Sequence, residues 1–166
     1  MSRGHYWVLV SAAIASSVAI VAPRARAQAT SSLPSSAPAG ITTVVSASSF
    51  DSTLARLERA AVAKGLTVAL KLDHAAAAKR AGLTLRPTTL VIAGNPAAGT
   101  PLMQADQRIG VELPLRFLVW QGEDGKTRVS YDPITAIASR HAVTGKDELL
   151  TRMTAAIEGI VADATR

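Results

Sequence analysis

The chain has no cysteine. That absence removes disulfides, thiolate metal sites, thiol catalysis and covalently attached c-type haem together. Aromatic residues are scarce, with two each of Trp, Tyr and Phe in 166 residues. The basic residues are scattered: no four adjoin, and no aromatics are interleaved among them, which argues against a nucleic-acid stripe. No G-x-S-x-G elbow presents a serine nucleophile. No carboxylate pair has a spacing that predicts glycosidase geometry, and no internal repeat occurs. The core must therefore hold by packing alone, and no complete catalytic motif is present.

The N-terminus carries the clearest signal. Arg3 and His5 precede an uncharged run from Tyr6 to Ala22 rich in Val, Ile, Leu and Ala. Pro23 breaks any helix, and Ala25-Arg26-Ala27 supplies the small-x-small pattern that signal peptidase accepts. The run falls short of the ~20 residues of a membrane span, and no cysteine follows it for lipid attachment. Residues 1–27 are expected to be a cleaved signal peptide, cut after Ala27, with export to a periplasm or the medium. The competing reading, an uncleaved anchor, is disfavoured by the short run. Cleavage leaves 15 Lys+Arg against 12 Asp+Glu, so the surplus falls from +6 to +3. Residues 28–40, rich in Ser, Pro and Ala and uncharged, read as a flexible tether. Residues 41–166 then have the size of one ordinary domain with one core, and no membrane span is expected after cleavage.

Within that domain, Ile41 to Ala47 reads as a strand and Ser49 as the N-cap of a helix closed by Gly65. Leu66, Val68, Leu70 and Leu72 alternate with polar or small residues, the pattern of a half-buried strand. A short alanine-rich helix from His74 to Ala81 follows. Thr88 to Ala93 reads as a strand buried on both faces, and Thr100-Pro101 as N-cap and first residue of a helix running to Ile109. Strands over Leu115–Gln121 and Lys126–Tyr131 flank Gly122-Glu123-Asp124-Gly125, a hairpin signal. Asp132-Pro133 opens a helix to about His141, and the last helix spans Lys146 to about Ala164. Strands fall mostly in adjacent pairs rather than in regular strand–helix–strand units, so the class is α+β.

Several collinear motifs run through residues 41–166: Asp73-His74, Arg86-Pro87-Thr88-Thr89-Leu90, Gly94-Asn95-Pro96, Gly99-Thr100-Pro101-Leu102-Met103, Leu113-Pro114-Leu115, Val119-Trp120, Tyr131-Asp132-Pro133 and Arg140-His141. In this order they resemble the domain-of-unknown-function 302 family. The resemblance implies a single α+β domain whose mostly antiparallel sheet is packed by helices on one face. It is similar to a TATA-binding-protein-like β-α-β4-α core with extra short helices. Homodimers fit such a domain, and the resemblance brings no activity with it.

Candidate chemistry gathers at six residues. Asp73-His74 can orient a general base or ligate a metal, or Asp73 can simply cap the following helix. His141 falls near a helix C-terminus, where a charged imidazole suits the dipole. If His74 and His141 met with a carboxylate, a two-His-one-carboxylate metal site would result. Gly94-Asn95-Pro96-Ala97-Ala98-Gly99 has the outline of a phosphate loop but lacks its lysine, with Thr100 and Pro101 following. It can bind an anion at a helix start with Arg86 nearby, or it can be plain turn chemistry with Asn95 and Thr100 as caps. Met103 is a core filler more readily than a haem ligand.

The leading expectation is a non-enzymatic small-molecule-binding or accessory module, needing no cofactor, with Asp73, His74, Arg86, Asn95, Thr100 and His141 around its ligand. Its pocket is expected where the strand ends carrying Asp73-His74 and Gly94-Asn95-Pro96 approach each other. The alternative is a metal-dependent or histidine-based enzyme using Asp73, His74 and His141. A purely structural or interaction role would instead predict an exposed apolar patch.

Overall fold

The computed structural model describes residues 40–166; the segments read as signal peptide and tether lie outside them, save Gly40. Strand β1 (Thr42–Val45) leads into helix α1 (Phe50–Ala63). The Ser49 hydroxyl accepts the Ser52 N–H at 3.4 Å, and Asp51 sits in the first turn where the helix dipole favours an acid. Gly65, at φ +79°, lets the chain reverse after α1. There follow β2 (Thr67–Asp73), α2 (His74–Arg80), β3 (Thr88–Gly94), α3 (Pro96–Ala105) and a 3-10 turn over Gln107–Val111. The hairpin of β4 (Leu115–Gln121) and β5 (Thr127–Tyr131) comes next, then α4 (Ile134–Arg140) and α5 (Asp147–Thr165).

The five strands form one antiparallel sheet in the order β1-β5-β4-β3-β2. Helices α1 and α5 pack on each other and on one face of it. Alternate strand residues, Val91 and Ala93, Phe117 and Val119, and Val129, point into that layer, where they meet Leu57, Ile157 and Ile160. The class is α+β, as the grouping of strands and the family resemblance both implied.

Three local expectations need correction. β3 is buried on one face and not on two: Thr89, Val91 and Ala93 are buried, while Leu90 and Ile92 are half-buried on the opposite, open face. α3 starts a turn earlier than Thr100-Pro101 suggested. Asn95 is its N-cap, accepting the Ala97 N–H at 2.9 Å, with Pro96 in the first turn, so Thr100 and Pro101 are interior. The third concerns β2. Val68 pairs with Ala93 but Leu70 pairs with Ile92, so Ala69 is bulged out of register. The bulge exchanges faces: Leu70 and Leu72 join Leu90 and Ile92 on the open face, at 50% and 38% exposure. Lys71 turns toward the helices instead and donates to Glu58 of α1 at 2.9 Å.

The open face extends across β4, where Leu118 and Trp120 lie opposite Leu90 and Thr88. Trp120 donates its Nε1–H to the Ser130 hydroxyl at 2.9 Å, and the Arg128 guanidinium lies 5.2 Å from its ring centre. Among the described residues no helix is long and apolar enough to cross a membrane.

Candidate functional site

Antiparallel register decides which loops meet. Thr67 pairs with Gly94, and Asp73 pairs with Thr89, so Asp73 and Gly94 lie at opposite ends of the β2–β3 hairpin. Six strand residues separate the two ends, roughly 20 Å. Continuing across the sheet, Ala93 pairs with Leu115 and Phe117 with Tyr131. The end holding Gly94 therefore also holds Leu115 and Tyr131, and the other end holds Asp73, Arg86 and the β4–β5 turn. The expected approach of Asp73-His74 to Gly94-Asn95-Pro96 does not occur, because successive antiparallel strands finish at opposite edges.

Each candidate can be placed. Asp73 caps α2, its Oδ1 accepting the Ala76 N–H at 2.9 Å, and His74 is the first residue of that helix. Arg86 donates its Nε–H to the Gln121 carbonyl at 3.0 Å and faces exposed Glu123 at 3.7 Å, both at the β4–β5 turn. His141 lies at the Leu115 end, so the histidine pair of the enzyme reading is not assembled within one chain. Among the described residues no three His, Cys, Asp or Glu side chains are grouped to hold a metal.

His141 instead belongs to an ionic network that binds the end of α4 to the segment before β4. Its Nε2 is 2.8 Å from Glu112 Oε1, and its Nδ1 is 3.9 Å from Asp106 Oδ2. Arg140 engages both oxygens of Glu112 and reaches Asp132 at 3.5 Å; Arg116 lies 3.8 Å and 3.9 Å from the same two acids. The hydrogen bond from Arg140, aided by His141, holds the Glu112 carboxyl down at about 2. Asp106 is held at about 2 first by the Arg108 side chain and then by the Arg108 N–H. The sequence offered His141 but no sign that Glu112 and Asp106 are its partners.

The remaining two candidates, Asn95 and Thr100, border a groove of about 570 Å³. Its floor and walls are the near ends of β2 and β3, the first half of α3, the Leu113-Pro114-Leu115 segment, and the middle of α5. Asn95 fixes one corner: besides capping α3, it donates from Nδ2 to the Gly65 carbonyl at 3.1 Å, tying α3 to the α1–β2 turn. The Asn95 carbonyl takes the N–H groups of Ala98 and Gly99, so the first turn of α3 keeps no cradle for an anion. Small residues thin the α3 wall: Gly99 lets Leu113 Cδ1 approach to 3.7 Å from where a Cβ would stand. At Gly94 a Cβ would meet that of Pro114 at 2.9 Å, so only glycine permits the strand to close there.

The lining is mainly apolar, with Leu66, Met103, Leu113, Leu149, Met153 and Ile157 contributing. Lys64 and Arg152 are its charged members, and no Asp, Glu, His, Ser or Tyr side chain lines it. Neither His141 nor its acidic partners border it. Sequence reasoning missed Lys64 and Arg152, which nothing local sets apart from other surface cations. It placed Met103 in the core, whereas the side chain is half-buried in the groove wall.

A two-layer α+β domain of one antiparallel sheet, with an apolar groove at one sheet end and no catalytic set lining it, is the class that these features define. The chain matches the model of the family described as domain of unknown function DUF302 over residues 41–160, and it belongs to that family. A solved structure described as an uncharacterized conserved protein DUF302 from Bacillus stearothermophilus has the same fold. The TM-score is 0.69 at 18% identity, covering 78% of this chain and 100% of that one. Among curated proteins, the chain is 41% identical over 104 residues to fluoride-specific ion channel FluC 1 of Brucella suis biovar 1 (strain 1330), which is 63% of this chain and 41% of that protein. The same identity over the same length relates it to FluC 1 of Brucella abortus biovar 1 (strain 9-941), where it covers 38%. The chain thus spans less than half the length of these relatives.

Proposed function

We propose that the chain is an exported small-molecule-binding or accessory module without catalysis, and that the groove beside α3 and α5 is its binding site. The observation that carries this reading is the groove's composition. Its volume lies within the ~300–1,000 Å³ range of small-molecule sites, and its walls are apolar. Its hydroxyls, on Thr67 and Thr100, have no acid or imidazole beside them in the lining to act as a base. Such a lining holds a ligand without reacting with it.

Two further features support the accessory and export parts. The curated relatives are named as channels and are more than twice the length of the aligned stretch. A segment like this domain therefore accompanies other functional parts in one polypeptide, which suits an accessory module. The run from Tyr6 to Ala22 followed by Ala25-Arg26-Ala27 supports export. A second copy is the proposed protein partner, seated on the open sheet face.

The groove is tested by filling it. Ala156 lines it from α5 and is half-buried, so Ala156→Phe places a ring in the space. The wild-type chain should gain thermal stability with added 1-decanol, a neutral apolar probe, and Ala156→Phe should not. Equal gains in both would remove the groove as the site.

A further inference from the structure

We propose that the groove takes a free, single-chain molecule with an apolar body and one anionic head, of the medium-chain carboxylate class. The inference rests on the groove being the binding site and adds what the ligand must carry. The two charged side chains in the lining are both cations, Lys64 from the end of α1 and Arg152 from α5, with no acid among the lining residues to neutralise them.

These cations are not committed elsewhere. Among the described residues Lys64 forms no ion pair. Arg152 has a single loose contact, 3.6 Å to Glu148 one turn earlier, and the two side chains are 66% and 95% exposed. A pair of that kind contributes little and gives way readily to a better partner. Arg108, also exposed, is held more closely, 2.8 Å from Asp106.

Gly159 shows how Lys64 is accommodated. This residue lies inside α5, where glycine costs roughly 1 kcal/mol against alanine. A Cβ there would stand 3.3 Å from Lys64 Cε and 3.5 Å from its Nζ. The bare backbone of α5 leaves room for the end of the lysine side chain to lie against the helix, at the border of the groove.

Apolar walls with two cations and no acid match an apolar chain ending in a carboxylate. Arg152 can meet the head bidentately and Lys64 as a point charge. A cationic amphiphile would be repelled, and a neutral one would leave both charges without a partner. The volume suits one alkyl chain, not the two chains of a membrane lipid.

Calorimetric titration of the full chain compares sodium decanoate, 1-decanol and phosphatidylglycerol vesicles, for the wild type, Lys64→Gln, Arg152→Gln and the double variant. Circular dichroism confirms that each variant is folded; both substitutions are at exposed positions. Decanoate should bind several-fold more tightly than decanol, the scale of one solvent-exposed charge pair. The double variant should bring the two to equal affinity while leaving decanol unchanged. Equal affinities in the wild type, a preference that survives the double variant, or binding to vesicles alone would each overturn the carboxylate class. The first two leave the groove itself standing. Failure of both decanol and decanoate to bind would overturn the groove reading with it.

Discussion

Glu112 concentrates more of the molecule's ionic contacts than its exposed neighbours do. Arg140, Arg116 and the His141 ring all address it, and the segment before β4 is held to the end of α4 through it. Its carboxyl is depressed from 4.5 to about 2, chiefly by the hydrogen bond from Arg140. A group with a depressed folded value contributes stability that is present above its unfolded value and lost as the pH falls through the folded one. The domain should therefore lose stability as the pH drops from about 4.5 toward 2, with Asp106 adding to the same limb. Arg140 is 43% exposed, so solvent screens the pair. Glu112→Gln should cost only about 1 kcal/mol at neutral pH. It should also flatten part of the acid limb, as read by thermal melts across that pH range. An unchanged limb in the variant would show that the network contributes nothing to stability.

At the scale of single elements, Asp73 illustrates a residue whose type fits two roles and whose position selects one. Its carboxylate accepts the Ala76 N–H, and α2 is a helix of seven residues with no buried side chain. So short a helix, half-buried at most, depends on its cap. Asp73→Ala should cost about 1 kcal/mol and raise amide exchange in α2, while decanol and decanoate titrations stay as in the wild type. A loss of ligand binding in this variant would return Asp73 to the candidate site. Caps and turns such as Ser49 and Gly65 were legible because one residue and its immediate neighbours determine them. The strand faces were less so. Alternation in Leu66–Leu72 identified a strand, but the bulge at Ala69 depends on how β2 pairs with β3, and no local pattern announces it.

For the whole molecule, the class of fold followed from the grouping of strands and from the motif order, yet the site did not. Asp73 and Gly94 both end strands, and in a parallel sheet two such ends would lie side by side. In this antiparallel sheet they are divided by the length of the hairpin. Asn95 and Thr100 border the groove, whereas its cations come from α1 and α5, far apart in sequence and brought together only by helix packing. The open face belongs to this scale as well. Leu70, Leu72, Leu90, Ile92, Leu118 and Trp120 make an apolar surface shared by three strands. Surfaces of this kind mark interaction sites, and two copies related by a two-fold axis can cover each other's. If a second copy seats there, Leu118→Asp should convert a dimer to a folded monomer by light scattering. A wild-type chain that is monomeric at all concentrations would remove the partner.

The bulge at Ala69 has an evolutionary side. Paired without the bulge, the same residues would alternate so that Leu70 and Leu72 turned inward and Lys71 outward, placing a charge on the open face. The one-residue shift of pairing at Ala69 is what turns this half of the strand over, presenting two leucines on the open face and drawing Lys71 back to Glu58 together. The apolar face is thus set by register and not by side-chain content, since the same residues paired one step apart would bury it. A member of the family lacking the residue at Ala69 would keep Leu70 opposite Ile92 and so retain the same face on a regular strand.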